Sequence, residues 1–186
     1  IRERMIGSGQ IGGKAAGVLL ARRILRAEWG EEGDPAFGEE DDSFFIGSDV
    51  FYSFLVQNGL FRLRWQLARE PEPSDESFRE VERRFLAGEF PPEIVEQFRA
   101  MLEHFGRAPV IVRSSSFLED GFGNAFAGKY RSEFCANQGD AGARLEEFLR
   151  AVKLVYASTL NPDALSYRRK RNLIDRDEQM AILVQR

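Results

Sequence analysis

The sequence predicts an α+β fold in which a small, mostly antiparallel sheet packs against several helices. Short apolar runs of strand length stand between longer segments whose apolar residues recur at helical spacing. The apolar run 110–112 and the strand candidate 130–137 flank one polar segment, and we expect them to pair as a hairpin. With 43% hydrophobic residues the chain can bury a sizeable core, and its 186 residues favour a single domain.

Charge and cysteine content narrow the functional classes. The formal net charge is −4 and the isoelectric point is near 5.3, so the chain as a whole does not attract nucleic acid or anionic membranes. A phosphate site would need a local cluster of cations. The single cysteine, Cys135, excludes a disulfide framework and a thiolate metal cluster, and fits a reducing cytoplasm. We expect a cytoplasmic protein without a nucleic acid or membrane partner, since no apolar run reaches the ~18 residues of a membrane span.

The first element is a glycine-rich segment, 8–13, which leads through Lys14 into a helix. Apolar residues at helical spacing begin at Ala15, so we expect the helix to start near Gly13. A glycine loop at a helix N-terminus is a suitable anion site, because the first helical turn leaves backbone N–H groups free. An ordinary loop with a solvated Lys14 is the alternative, because the glycine spacing does not match the Walker A pattern.

The middle of the chain is predicted to be mainly helical after one short strand. An exposed acidic loop is expected over 28–42, and Ser48 or Asp49 is expected to cap the helix that follows the strand at 43–47. The other predicted helices cover 60–68, 76–86 (capped by Ser74 or Asp75) and 91–105 (opened by Pro91 and Pro92). The last two form a predicted helical insertion over about 70–106.

The only histidine, His104, stands near the end of this insertion. A surface or helix-capping role is the simpler interpretation, because neither a second histidine nor a cysteine stands nearby in the sequence, and a helix C-terminus favours a protonated imidazole. A catalytic role for His104 is the alternative.

The stretch 109–130 holds the densest set of candidate ligand-binding groups. Its strand, 110–112, ends on Arg113, and three serines, an acidic pair and three glycines follow. Glycines let backbone N–H groups approach a phosphate closely, and arginine supplies a planar fork of donors. The pattern therefore predicts a loop for an anionic ligand. An ordinary polar connection, in which Arg113 pairs with Glu119 or Asp120, explains the pattern equally well.

Beyond the hairpin, the sequence predicts two helices and a final strand. Asp140 is expected to cap a helix over 141–160, and a second helix follows it. The basic run 168–171 is interpreted as the solvated end of that second helix. A turn over 175–179 and an apolar strand over 180–184 complete the prediction.

Five segments, taken in order, resemble the N-terminal part of the nucleotide-binding domain of pyruvate phosphate dikinase and phosphoenolpyruvate synthase. They are I-G-G-K-A-A-G at 11–17, F-F-I-G-S-D-V-F-Y-S-F-L-V-Q-N-G-L at 44–60, V-I-V-R-S-S-S-F-L-E-D-G-F-G-N-A-F-A-G-K-Y at 110–130, A-S-T-L-N-P-D-A-L-S-Y-R at 157–168 and A-I-L-V-Q at 181–185. Rifampin phosphotransferases and glucan water dikinases carry similar domains. Five ordered matches are more specific than any one of them, and together they span nearly the whole chain.

The resemblance implies an ATP-grasp-like domain that holds ATP between two lobes, with residues 1–186 supplying the N-terminal lobe. It implies that Lys14 and Arg113 contact the phosphates of ATP and are the catalytic candidates. It also implies that Gln185 begins the linker whose backbone contacts adenine.

The same resemblance implies that serines and glycines of the stretch 114–128 form part of the loop over the phosphates. The nucleotide-binding candidates within this stretch are Ser114, Ser115 and Gly128. Lys129 follows them where the family has glutamine after its F-A-G motif. An extra cation there would strengthen phosphate binding or alter the closure of the loop.

The implied reaction involves more than this chain. The parent protein would use ATP and Mg²⁺ to phosphorylate a histidine on a carrier domain, which then passes the phosphoryl group to a small acceptor such as pyruvate. The metal ligands would lie in a second lobe outside residues 1–186, and His104 would not be the carrier histidine. The chain alone is expected to be inactive. A non-catalytic nucleotide-sensing or interaction module with the same fold is the alternative, and a purely structural α/β domain is a third interpretation.

Overall fold

The computed structural model describes residues 2–29, 42–70, 74–116, 118–119 and 128–186, and the structural statements below refer to these residues. The strands are β1 (Met5–Ile6), β2 (Ser43–Ile46), β3 (Val110–Ser116), β4 (Ser132–Cys135) and β5 (Met180–Gln185). The α-helices are α1 (Gly12–Trp29), α2 (Ser48–Gln57), α3 (Phe61–Arg69), α4 (Asp75–Ala87), α5 (Pro92–Phe105), α6 (Ala141–Ala157) and α7 (Pro162–Lys170).

The strands form one five-stranded sheet in the order β1-β2-β5-β3-β4. β1 pairs with β2 in parallel, and the other neighbouring pairs are antiparallel. β5, which is last in the sequence, lies at the centre of the sheet and pairs with both β2 and β3. The predicted α+β fold with a mostly antiparallel sheet is confirmed, and so is the predicted β3–β4 hairpin.

The two faces of the sheet carry different neighbours, because successive strand residues point to opposite sides. On one face, Ala15 of α1 packs against Phe45 of β2 and Leu183 of β5 in a small apolar cluster. On the other face, Val112 and Val184 belong to the main core, which most of the other helices complete. The first face therefore has much less apolar packing than the second.

Aromatic side chains dominate the main core. The fully buried rings of Phe98 (α5) and Phe148 (α6) meet edge to face with their centroids 5.2 Å apart, and Phe54 (α2) meets Phe90 at 4.6 Å. Such ring pairs contribute about 0.5–1.5 kcal/mol each beyond the area they bury. Phe85 of α4 lies in the same core. The two helices α4 and α5, predicted as an insertion, thus share their core with the sheet.

Two of the three helix caps that the sequence predicts are present in the structure. The Ser74 hydroxyl accepts a hydrogen bond from the Ser77 N–H, and the Asp140 carboxylate accepts one from the Ala143 N–H. At α2, however, the N-cap residue is Gly47, which has no side chain with which to cap the helix. The prediction that Ser48 or Asp49 caps this helix is wrong, because both side chains bind another segment.

The structure also corrects the predicted end of β3. The strand continues through Ser116, and all three serines after Arg113 pair with β5 and are buried. The prediction of a loop beginning at Ser114 is therefore wrong, because pairing with a central strand overrides the preference of serine for turns. The predicted glycine loop after β3, with Asp120, lies outside the described residues, as do residues 30–41 of the predicted acidic loop.

The basic run 168–171 is not simply the solvated helix end predicted from the sequence. Arg168 is only 3% exposed, and its guanidinium donates to the carbonyl oxygens of Leu173, Ile174 and Arg176. These bonds hold the segment that leads into β5. The prediction is wrong for Arg168, because a buried guanidinium can satisfy backbone carbonyls that a loop leaves unpaired.

Candidate functional site

The glycine-rich segment before α1 is fixed by the first turn of α2. The Asp49 carboxylate accepts hydrogen bonds from the N–H groups of Ser8 (2.9 Å) and Gly9 (2.8 Å), and the Ser48 hydroxyl accepts one from the Gln10 N–H (3.1 Å). These bonds are what Ser48 and Asp49 make in place of the predicted cap. They set the direction from which the chain enters α1.

The N-terminus of α1 lies directly against the end of β3. The Ser115 hydroxyl accepts a hydrogen bond from the Ala15 N–H (3.0 Å) and donates one to the Ile11 carbonyl oxygen (2.7 Å). Gly12 has a φ of +72°, and a Cβ at this residue would lie 1.7 Å from the Ser115 carbonyl oxygen. Glycine is therefore required at position 12 for the close approach of the loop to the strand.

This contact brings Lys14 to the end of β3. Its ammonium donates to Oε1 of Glu119 at 2.5 Å and lies 3.4 Å from the Ser114 hydroxyl. The Lys14 side chain is 27% exposed, whereas that of Glu119 is 3% exposed. The alternative of a solvated Lys14 in an ordinary loop is wrong in this structure, because the ammonium forms an ion pair with a buried carboxylate.

The Glu119 carboxylate is held in place from several sides. It accepts hydrogen bonds from the Ser114 hydroxyl (3.0 Å) and the Ser116 N–H (3.2 Å), while the Ser116 hydroxyl accepts from the N–H groups of Leu118 and Glu119. The alternative in which Arg113 pairs with Glu119 is not observed, because Glu119 pairs with Lys14 and Arg113 bonds to Gln185. Ser116 and Glu119 thus bind each other's backbone N–H groups through their side chains. The spacing S-x-x-E at 116–119 could have predicted these bonds, because it is the pattern of a capping box.

Arg113 lies on the face of the sheet that α1 covers, two residues before Ser115 on the same strand. One N–H group of its guanidinium donates to Oε1 of Gln185 at 3.0 Å. The register pairs Arg113 with Leu183, so Arg113 and Gln185 are diagonal neighbours on β3 and β5. Pairing between β3 and β4 stops at Arg113, where Ser132 is its partner. Lys14 therefore meets Ser114 and Glu119 at the C-terminal end of β3, whereas Arg113 lies at the middle of this strand and bonds to Gln185, whose register partner is Ile111.

Gly128 and Lys129 have different neighbours in the described part of the chain. Gly128 is exposed with a φ of +74°. The Lys129 ammonium lies 5.9 Å from the centroid of the Tyr167 ring, and the Lys129 carbonyl oxygen accepts a hydrogen bond from the Asn161 amide at 2.6 Å. These contacts attach Lys129 to α7, and no described contact joins it to Lys14 or Arg113.

Glu178 is a buried charged residue that the sequence analysis missed. It is 0% exposed, and its carboxylate accepts a hydrogen bond from the Tyr130 hydroxyl. The pKa of Glu178 is raised above its usual value, mainly because the side chain is buried. Hydrogen bonds from Ser116 and Tyr130 and the nearby charges of Arg168 and Arg64 lower this pKa, but by less than burial raises it. Position 178 gave no sequence signal, because a single glutamate in a polar segment is usually exposed.

His104 lies away from these residues. Its Nε2 atom is 2.8 Å from the Asp42 carboxylate and 2.8 Å from the Arg4 guanidinium, and its ring packs beside Phe44 and Phe105. These contacts connect the end of α5 to the residue before β2. They are the contacts of a partly exposed structural side chain and involve none of the site candidates.

The described residues contain neither a membrane-spanning helix nor a cluster of metal ligands. None of the helices among them is both long and apolar enough to cross a membrane. The same residues contain no group of three or more His, Cys, Asp or Glu side chains arranged to hold a metal ion.

A comparison with models of protein families identifies the family of this chain. The family model described as "Pyruvate phosphate dikinase, AMP/ATP-binding domain" matches residues 8–186. The chain belongs to this family. The predicted resemblance is thereby confirmed over nearly the whole chain, and the chain is the AMP/ATP-binding part of a dikinase-type protein. A comparison with curated proteins finds no match.

Proposed function

We propose that this chain binds ATP as the N-terminal lobe of a phosphotransferase that phosphorylates a carrier histidine and then a small acceptor such as pyruvate. The observation that carries the proposal is that two cationic side chains belong to or contact β3 at neighbouring residues. Lys14 reaches Ser114 through the glycine loop, and Arg113 precedes Ser114 on the strand itself. Membership of the AMP/ATP-binding family supports a nucleotide as the anion that these two side chains bind.

The donors of Lys14 and Arg113 suit the phosphate oxygens of ATP. An ammonium has three donors, and Lys14 directs them at Glu119 and Ser114 while its side chain stays 27% exposed. A guanidinium has five N–H donors, and the Arg113 contact within the described residues is the bond to Gln185. Both cations thus keep donors for phosphate oxygens, and the close fit of Gly12 against Ser115 fixes where Lys14 stands.

The role of these residues in phosphoryl transfer would be to position the phosphates and to stabilise negative charge. When ATP binds with Mg²⁺, the metal ion neutralises charge on the phosphate oxygens. We expect its ligands from a second lobe of the parent protein. Lys14 and Arg113 would hold the phosphates from this lobe, each supplying a charge-assisted hydrogen bond of about 1.5–3 kcal/mol.

The remaining candidates would act on other parts of the nucleotide. Gln185 stands at the end of the central strand and is bonded to Arg113, so the backbone that follows it would lie beside the adenine. Ser114 and Ser115 would act mainly by holding Lys14 and the start of α1. We propose that Gly128 and Lys129 also contact the phosphates when the nucleotide is bound.

The test is nucleotide binding and ATP consumption by the full-length parent protein with Arg113→Ala or Lys14→Ala. Each substitution should weaken ATP binding roughly 10- to 150-fold, which corresponds to the loss of one charge-assisted bond of about 1.5–3 kcal/mol, and Arg113→Ala should abolish ATP consumption. Arg107→Ala is the matched control, because Arg107 is an exposed residue just before the same strand. Calorimetry measures the binding, and a coupled ADP assay measures the turnover.

The outcomes separate the proposed enzyme from its alternatives. Unchanged turnover in Arg113→Ala would contradict the assignment of this site. Binding of ATP by the wild-type parent without consumption in the presence of Mg²⁺ and pyruvate would favour a nucleotide-sensing module. If the parent bound neither ATP nor ADP, the purely structural interpretation would replace both.

A further inference from the structure

A cavity lies between α3 and the segment that leads into β5, away from Lys14 and Arg113. Its volume is about 230 Å³, smaller than the roughly 300–1,000 Å³ of pockets for drug-sized ligands. The principal groups that line it are two aromatic rings and four guanidinium groups, namely Phe61, Trp65, Arg64, Arg69, Arg168 and Arg176. None of these residues belongs to the site formed by Lys14 and Arg113.

The apolar wall of this cavity is one face of α3. Phe61 and Trp65 stand four residues apart, so their rings lie on the same side of the helix. They remain 48% and 56% exposed, although most other large apolar side chains of the described residues are buried in the cores. The guanidinium of Arg69 lies 3.9 Å from the centre of the Trp65 ring, so a cation is held beside the exposed aromatic surface.

The cationic wall contains donors that the protein itself does not fully use. Arg168 is 3% exposed, and its Nε–H has no acceptor among the described residues. Arg168 therefore contributes positive charge to this wall rather than an accessible donor. Arg176 is exposed, and its side chain makes no hydrogen bond or ion pair within the described part of the chain. Arg64, by contrast, is occupied by Asp177 and the Glu178 carbonyl oxygen.

Two carboxylates also line the cavity, but both stand beside cations or donors. Asp177 pairs with Arg64 at 3.0 Å and accepts a hydrogen bond from Tyr52. Asp175 is 3.8 Å from Arg69, and its side chain is 85% exposed. Four guanidinium groups therefore line the cavity with two carboxylates, and the buried Glu178 carboxylate lies near Arg168 and Arg64, so cations still outnumber carboxylates here although the whole chain has a formal charge of −4.

We propose that this cavity binds a small planar organic anion, an aryl or similarly flat carboxylate or phosphate. The flat part would lie against Phe61 and Trp65, and the anionic group would accept hydrogen bonds from Arg176. An aromatic face provides stacking energy, and a guanidinium provides planar recognition of carboxylate or phosphate oxygens. The site does not depend on ATP binding at Lys14, so the failure of either proposal leaves the other intact.

The test uses phenyl phosphate and benzoate as probes of the full-length protein, with inorganic phosphate and benzyl alcohol as partial analogues. We expect saturable calorimetric binding of at least one aryl anion, with a change in tryptophan fluorescence that Trp65→Phe removes. Arg176→Ala should weaken this binding at least about fivefold, the loss of one hydrogen bond to a charged group in an exposed setting. The comparison of phenyl phosphate with benzoate shows which anionic group the cavity prefers.

Two control variants make the result decisive. Arg62→Ala removes an exposed arginine of the same helix that does not line the cavity, so it should leave aryl-anion binding unchanged. Lys14→Ala should also leave it unchanged, because Lys14 belongs to the other site. The proposal is overturned if neither aryl anion binds, if Arg62→Ala and Arg176→Ala weaken binding equally, or if inorganic phosphate binds as tightly as phenyl phosphate.

Discussion

The two faces of the sheet differ in how much apolar core they support. The face opposite α1 supports a continuous core with the fully buried rings of Phe54, Phe98 and Phe148. The face that α1 covers has a small apolar cluster around Leu183 and carries Arg113. Polar groups can remain accessible on the second face because the first one supplies most of the buried apolar area. The same sheet therefore supports the main core on one side and carries the candidate residue Arg113 on the other.

The largest change in stability is expected from a substitution on the core face of the sheet. Phe148→Ala should lower the free energy of unfolding by about 3–5 kcal/mol, because it removes a fully buried ring and leaves a cavity beside Phe98. Urea denaturation followed by circular dichroism measures this change. Phe134→Ala is the control, since Phe134 is 80% exposed and its removal should change stability by less than about 0.5 kcal/mol. Equal losses in the two variants would contradict the division between the faces.

A smaller loss of stability, with a direct effect on the site, is expected at Gly12. Gly12→Ala places a Cβ at the position that lies 1.7 Å from the Ser115 carbonyl oxygen, at a φ of +72°. The loop must move away from β3, at about 1–3 kcal/mol for the strained backbone, and Lys14 moves with it. We expect lower stability and weaker ATP binding, measured by thermal unfolding and calorimetry.

The matched control for Gly12 lies one and a half turns further along α1. A Cβ at Gly17 would meet nothing within 4 Å, so Gly17→Ala should stabilise the helix by about 0.5–1 kcal/mol. ATP binding should be unchanged in this variant. If Gly12→Ala bound ATP as tightly as Gly17→Ala does, the close contact between the loop and β3 would have no part in the site.

The sequence predicted the core face better than the site. Helical spacing and helix caps located most helices, because burial of one apolar side is a local and repetitive signal. The ends of β3 were harder, because the burial of Ser114 to Ser116 depends on pairing with β5, a strand about 65 residues later. The partner of Glu119 was missed for the same reason, since Lys14 stands more than a hundred residues earlier in the chain.

The predicted site residues show how far a sequence motif can lead. Lys14 and Arg113 were identified from glycine-rich surroundings and from the family resemblance, and the structure places Lys14 beside Ser114 of β3 and Arg113 on the same strand. Neither signal could reveal that Asp49 fixes the glycine loop, because its bonds to Ser8 and Gly9 are contacts of the folded chain. Motifs identify groups that could contact a ligand, whereas the residues that position those groups emerge from the tertiary structure.

A moderate effect is expected from neutralising the carboxylate that binds Lys14. Glu119→Gln keeps the size of the side chain but removes its charge, so Lys14 loses an ion partner that is almost buried. We expect stability without nucleotide to fall by about 1–2 kcal/mol, since Lys14 is partly exposed and the pair is worth less than a fully buried one. ATP should bind more tightly, because its phosphates no longer compete with a nearby carboxylate for the ammonium.

Urea denaturation and calorimetry with ATP measure these two opposite changes in the Glu119→Gln variant. Glu147→Gln is a useful control, because that carboxylate accepts backbone hydrogen bonds from Ala136 and Asn137 and lies near neither cation. Its substitution should lower stability without tightening ATP binding. A loss of ATP affinity in Glu119→Gln would mean that Glu119 orients Lys14 for the nucleotide rather than competing with it.

The smallest expected effect is the contribution of the buried Glu178 carboxylate to the pH dependence of stability. The pKa of Glu178 is raised by burial, so the folded protein holds its proton more tightly than the unfolded chain does. The folded state then binds more protons than the unfolded state between the two pKa values, and stability must fall as pH rises through that interval. Glu178→Gln cannot ionise, so it should remove this part of the pH dependence. Thermal unfolding of both proteins from the unfolded pKa of glutamate upward measures the difference, and parallel curves would show that Glu178 is ionised in the folded protein as readily as in the unfolded chain.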